Sequence, residues 1–170
     1  MSSLSSQITR QSFVSKLFSG FAAAIFVGLF ASAAVAVSPP SNTLKTGLFG
    51  GHTDTAILGF DPVAYITVGK AVKGQDAYVT DWNSAKWKFS SQANLDLFKA
   101  NPEKYAPQYG GYCAYGVAVD NLVTVEPDKF TIINGKLYLN YDADIQQKWL
   151  KDPTGFIKQA DGKFQSLLKK

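Results

Sequence analysis

Among 170 residues there is one cysteine, Cys113, and one histidine, His52. Cys113 sits between tyrosines in a Gly-rich stretch, Gly110-Gly111-Tyr112-Cys113-Ala114-Tyr115, and His52 follows Gly50-Gly51. A thiolate and an imidazole are the donors that copper and zinc prefer, and with Asp54, Asp61 or a tyrosine they could complete a site. Two certain donors are too few to name the metal. The opposing reading is a buried Cys113 acting as a small hydrophobe and a solvent-facing His52. A Cys–His nucleophilic pair would also need an orienting group and an oxyanion hole, which no motif supplies. The chain is therefore read as non-catalytic.

Tyr105, Tyr109, Tyr112 and Tyr115 recur at helical intervals, but Pro107 and Gly110-Gly111 argue against a continuous helix. Together with Tyr65 they either pack with each hydroxyl on a polar partner or line a pocket for a small ligand. Asp61-Pro62 and Asp142/Asp144 are explained by turn initiation and helix capping. A single cysteine excludes an intramolecular disulfide, a Cys₄ or Cys₂His₂ zinc site and a C-x-x-C pair. Walker, G-x-G-x-x-G, H-E-x-x-H and G-x-S-x-G patterns are absent from the sequence.

The elements that must position these residues begin after a leader. Arg10 and Lys16 precede an apolar run from Leu17 to Ala31 and the small-residue end Ala34-Val35-Ala36. This is the three-part form of a secretory signal peptide over residues 1–36, which implies export to the periplasm or the medium. The membrane would be met only through an uncleaved signal. Cleavage removes two basic residues and no acid, halving the formal charge of +4. With no Lys/Arg-rich run, nucleic-acid binding is not expected.

Residues 37–55, rich in Pro, Ser, Asn and Gly, read as a flexible arm, and residues 56–168 as one α+β domain. Val63–Val68 is β-branched and aromatic and reads as a strand. Ala77–Thr80 and Lys86–Phe89 read as two further strands. Ser91 caps a helix over Gln92–Ala100 that stops before Pro102. Pro107–Gly116 reads as ordered loop. Phe130–Ile133 and Lys136–Asn140 flank Asn134-Gly135, the sequence of a type I′ hairpin. Helices with Ile145, Trp149 and Leu150 inward, then with Phe156, Ile157, Ala160, Phe164 and Leu167-Leu168, close the chain.

Asp61-Pro62-Val63-Ala64-Tyr65, then Trp87-Lys88-Phe89-Ser90-Ser91, Asn94, Phe98 and Asn101-Pro102-Glu103-Lys104-Tyr105, resemble the YHS domain. The stretch Tyr105–Tyr115 and the hairpin Gly135–Tyr141 are similar to those of exported bacterial YHS proteins. The resemblance runs from about Ala56 to Ala160. It implies a small antiparallel sheet with hairpins, C-terminal helices and a treble-clef-like core. It also implies an association with heavy metals, so that a small ligand or a metal ion, copper or zinc, is the expected partner. Metal-binding YHS modules carry a cysteine directly after Asp-Pro-Val and another in the turn before the helix. Here those places hold Ala64 and Ser91 to Asn94, which offer no thiolate.

Overall fold

The computed structural model describes residues 38–45 and 51–170. The leader assigned to residues 1–36 lies outside the described residues. Among those described, no helix is long and apolar enough to cross a membrane.

The domain is α+β, as expected, but its strands form two separate antiparallel pairs. β1 (Gln75–Trp82) pairs with β2 (Ala85–Phe89), and β3 (Glu126–Ile133) pairs with β4 (Lys136–Asn140). Tight turns at Asn83-Ser84 and Asn134-Gly135 join each pair, all four residues having positive φ, as a type I′ turn requires. In β2 the residues Ala85, Trp87 and Phe89 are buried while Lys86 and Lys88 are half-buried, the alternation read from the sequence. β4 differs, because Leu137, Tyr138, Leu139 and Asn140 are all buried. Leu137 and Leu139 face a core built on Trp87, Phe89, Phe98 and Val63. Tyr138 faces a second core with Tyr112, Trp149, Ala160 and Leu167. β4 is thus the wall between two cores.

The segment Val63–Val68 is not a strand. Pro62–Thr67 is a helix, α1. Asp61 caps it by accepting from the N–H groups of Val63 at 2.9 Å and Ala64 at 3.3 Å, and Pro62 stands in the first turn, where its missing N–H costs nothing. A cap and a proline at its ideal place outweigh a β-branched run, whose propensity is worth only tenths of a kcal/mol per residue, roughly.

α2 (Gln92–Ala100) begins at Ser91, whose hydroxyl accepts from Asn94 N–H, and buries Leu95 and Phe98. α3 (Pro102–Tyr105) follows at once. The expected loop Pro107–Gly116 is instead a left-handed turn at Tyr109–Gly111 and then α4 (Ala114–Ala118), capped by Cys113. α5 (Ala143–Trp149) starts at the cap Asp142. It buries Trp149, half-buries Ile145 and leaves Leu150 exposed, contrary to the inward placing of Leu150. α6 (Pro153–Leu167) starts at the cap Asp152 and packs Ala160 and Leu167 into the second core.

The flexible arm is also corrected for its described part. Ser41, Asn42 and Thr43 are buried. Asn42 N–H donates to Gly110 O at 2.8 Å, its side chain donates to Gly111 O at 2.9 Å, and its carbonyl accepts from Ile57 N–H at 2.9 Å. Two left-handed turns, Ile57–Gly59 and Tyr109–Gly111, grip this segment. A side chain on Gly110 would lie 1.9 Å from Pro40 O, so glycine there is a requirement of close approach. Polar composition suggested an arm in water; the Ser41 and Asn42 side chains instead donate to the backbone carbonyls of Asn83 and Gly111.

Candidate functional site

Cys113 is almost fully buried, 1% exposed, in the first core. Its Sγ accepts from Gly116 N–H at 3.3 Å, the capping bond of α4, and its backbone bridges Leu139 of β4. Burial raises the thiol pKa above its ordinary value, against the opposing pull of the Gly116, Tyr141 and Tyr115 backbone and of the Asn140 side chain. Cys113 is therefore a neutral thiol at neutral pH.

His52 is exposed on a bridge to Leu44, and its Nδ1 pairs with the Thr43 hydroxyl at 2.8 Å. Among the described residues no group of three or more His, Cys, Asp and Glu side chains is gathered to hold a metal ion. The acids proposed to join such a site have other partners. Asp54 pairs with Lys86 at 3.0 Å, and Asp61 is committed as described below.

The tyrosines divide. Tyr65 donates to Pro127 O at 2.9 Å, Tyr109 to the Asp161 carboxylate at 2.9 Å, and Tyr112 to Pro39 O at 3.0 Å. Tyr105 is buried, with the Lys104 ammonium 5.0 Å from its ring centroid. These four are packing residues. Tyr115 is half-buried, packs edge-on against Phe156, and lines a cavity of about 210 Å³.

That cavity opens beside Cys113. Gly116 and Val119 of the α4 segment, Asn121 and Val123 of the following loop, and Tyr141 and Ile145 from the β4–α5 junction complete its lining with Cys113 and Tyr115. No acidic or basic side chain is among them. Sequence reading found Cys113 and Tyr115 but missed the rest, which come from three places in the chain. Val119 and Tyr141, about 40% and 47% exposed, leave apolar surface at the cavity's mouth. Their exposure depends on the fold and is invisible beforehand.

A second polar centre lies in the first core. Asp61, fully buried, accepts five hydrogen bonds: through Oδ1 from the N–H groups of Val63 and Ala64, and through Oδ2 from Ser90 N–H at 2.8 Å, Ser90 Oγ at 2.6 Å and Asn94 Nδ2 at 2.6 Å. This hub ties the start of α1 to the turn before α2. Those are the two places where the family resemblance leads one to expect metal-ligating cysteines. The expected metal does not fit here. Ala64 is buried and has no donor atom, and the Ser90, Ser91 and Asn94 side chains are engaged with Asp61 or with the cap of α2.

No curated protein and no solved structure matches the chain. Residues 63–109 match the family model of the YHS domain. The match covers α1, both strands of the first pair, α2, α3 and the turn reaching Tyr109, and every residue lining the cavity lies beyond it. With the Asp-Pro-capped α1, the Trp87/Phe89 strand and the Asn101-Pro102 break in or beside the matched stretch, residues 63–109 of the chain are a YHS domain.

Proposed function

We propose that this protein is an exported, non-catalytic binding protein for a small, neutral, mostly apolar molecule, held in the cavity beside Cys113. The observation that carries the reading is the lining: an open, mostly apolar pocket with one neutral thiol, the Asn121 amide, two tyrosines and no charged side chain. An ion entering it would give up part of its hydration without gaining a counter-charge, which is unfavourable. An apolar molecule loses nothing of the kind. A cavity of roughly 150 Å³ suffices for benzene, so about 210 Å³ has room for one ring and a substituent. The signal-like leader supports export.

The Asp61 hub favours a second reading in part, in which the YHS scaffold serves as a metal-free platform for interactions. The two are compatible, since the matched segment would supply the scaffold and the residues after Tyr109 the pocket.

Toluene, titrated while backbone amide resonances are followed by NMR, is the test. Shifts concentrated at residues 113–145, abolished by the plugging variant Val119→Trp, are expected. No saturable shift in that region would overturn the reading. Zinc or copper(I) titrated separately is expected to leave the spectrum unchanged; stoichiometric uptake lost in Cys113→Ser would replace the apolar ligand with a metal.

A further inference from the structure

The elements from the left-handed turn at Ile57–Gly59 to α3 recur, in the same order, from the left-handed turn at Tyr109–Gly111 to α6. Each series runs from the turn to a short helix, a hairpin, a capped helix and a last helix opened by proline. The agreement reaches single residues. In the first hairpin Gln75 faces Phe89, Val79 faces Lys88 and Trp82 faces Ala85; at one constant offset, Glu126 faces Asn140, Phe130 faces Leu139 and Ile133 faces Lys136 in the second. Both hairpins have their irregularity between the first and second of these pairs. At the same offset the turn Asn83-Ser84 recurs as Asn134-Gly135, the cap Ser91 as Asp142, and Asn101-Pro102 as Asp152-Pro153. Ahead of the hairpins the offset is larger by one. There Asp61 and Cys113 each follow a left-handed turn and cap a helix with the side chain, and each donates its backbone N–H to a valine carbonyl, Val72 O at 2.8 Å and Val123 O at 3.2 Å. The two series share few residue types, so caps, turns and register carry the likeness. Self-similarity at a fixed spacing marks a repeated unit.

This correspondence places the cavity. In the first series the Asp61 carboxylate binds the N–H groups of Val63 and Ala64, the Ser90 N–H and hydroxyl, and the Asn94 amide. The counterparts of these five residues are Cys113, Tyr115, Gly116, Tyr141 and Ile145, and all five line the cavity. A thiol stands in place of the carboxylate, a phenol ring in place of the Ser90 side chain and an aliphatic chain in place of the Asn94 amide. The side chains that bond to one another in the first series are thus replaced by ones that do not, and the second series is open at that place.

We propose that residues 56–105 and 108–156 are two copies of one unit, the first closed by its hydrogen-bonded hub and the second opened at the same place to hold a ligand, with Cys113, Tyr141 and Ile145 making that place apolar. The assignment rests on the proposed reading of the cavity as a ligand site. A ligand seated there takes the place of the carboxylate and its partners and meets no side chain able to pair with a charge, so its buried end is a hydrocarbon ring or chain.

The experiment restores the hub. Cys113→Asp alone buries a carboxylate whose side-chain partners are missing, and it is expected to lower Tm by at least about 5 °C. Adding Tyr141→Ser and Ile145→Asn supplies the partners that Asp61 has. The triple variant is expected to recover at least about half of that loss and to bind toluene at least about tenfold more weakly than the wild type. In the wild type, intermolecular NOEs from bound toluene to the Ile145 methyls and the Gly116 Hα protons are expected, a readout that needs no variant to fold. A folded triple variant no more stable than Cys113→Asp, wild-type toluene affinity in that variant, or bound toluene without those NOEs would overturn the assignment and leave the cavity reading standing. A wild type that does not bind toluene would overturn the cavity reading and with it the ligand role of the second copy, even where the recovery in Tm is seen.

Discussion

Removing the Asp61 carboxylate tests the claim that this hydrogen-bonded hub holds the start of α1 to the turn before α2. In Asp61→Ala five donors lose their acceptor. Two can re-pair, since Asn94 Nδ2 already reaches Ser90 Oγ at 3.3 Å and the Ser90 hydroxyl can turn. The N–H groups of Val63, Ala64 and Ser90 cannot. Each orphaned buried donor costs about 1–3 kcal/mol; with local relaxation we expect about 3–5 kcal/mol in total, a large share of the roughly 5–15 kcal/mol available to a domain. In Asp61→Asn the remaining oxygen can keep the cap of α1 while the new amide donates to Ser90 Oγ and to a flipped Asn94. Only Ser90 N–H is then stranded, and the expected cost is about 1–2 kcal/mol. Urea unfolding followed through the fluorescence of the buried Trp87 and Trp149 measures both. At about 3–5 °C per kcal/mol for this size, Asp61→Ala should lower Tm by about 10–20 °C. A loss under about 0.5 kcal/mol for Asp61→Ala, or equal losses for the two variants, would refute the reasoning.

Gly110→Ala should cost about 2–4 kcal/mol, because its Cβ would collide with Pro40 O and its φ is positive; proteolysis cutting within residues 38–45 of the variant, and not of the wild type, would show the segment released. Alkali should unfold the protein. Burial raises the phenols of Tyr65, Tyr109 and Tyr138 and pushes Tyr112 up to about 12, so the folded chain holds protons that the unfolded chain releases. Stability is therefore intact below the unfolded value of about 10 and falls as pH rises from there through the folded values; urea midpoints across that range should show the fall, and Tyr109→Phe should make it shallower. Native Cys113 should react with iodoacetamide at least about tenfold more slowly than the urea-unfolded chain, since burial keeps the thiol protonated; equal rates, read by intact mass, would exclude a neutral buried thiol. Exhaustive chelation should leave Tm unchanged, and a fall would mean that a metal supports the core after all.

Local signals were legible wherever chain neighbours decide the conformation. Asn134-Gly135 is a turn because both residues tolerate positive φ, and Ser91 begins α2 because its hydroxyl reaches an N–H three residues on. Two signals of the same kind compete at Asp61–Val68, and the β-branched pattern misleads there: the cap and Pro62 prevail because they act at the start of the segment, where a helix is decided. The described part of residues 37–55 was misread for the opposite reason. Nothing local distinguishes a polar segment in water from one whose Asn42 fills the hydrogen-bonding needs of turns at Ile57 and Gly110.

Cysteine and histidine counts, the Asp-Pro-Val-Ala substitution for a cysteine-bearing motif and the capping residues are properties of the chain itself, readable without a fold. They exclude an intramolecular disulfide and the usual multi-cysteine metal sites and they point to the YHS family. Tertiary structure alone decided that Asp61, Ser90 and Asn94 meet in one buried hub, that His52 pairs with Thr43, and that Cys113 borders an uncharged cavity built from separate stretches of residues 113–145. The physical reason is that burial and encounter depend on contacts distant in sequence, which composition and periodicity do not encode.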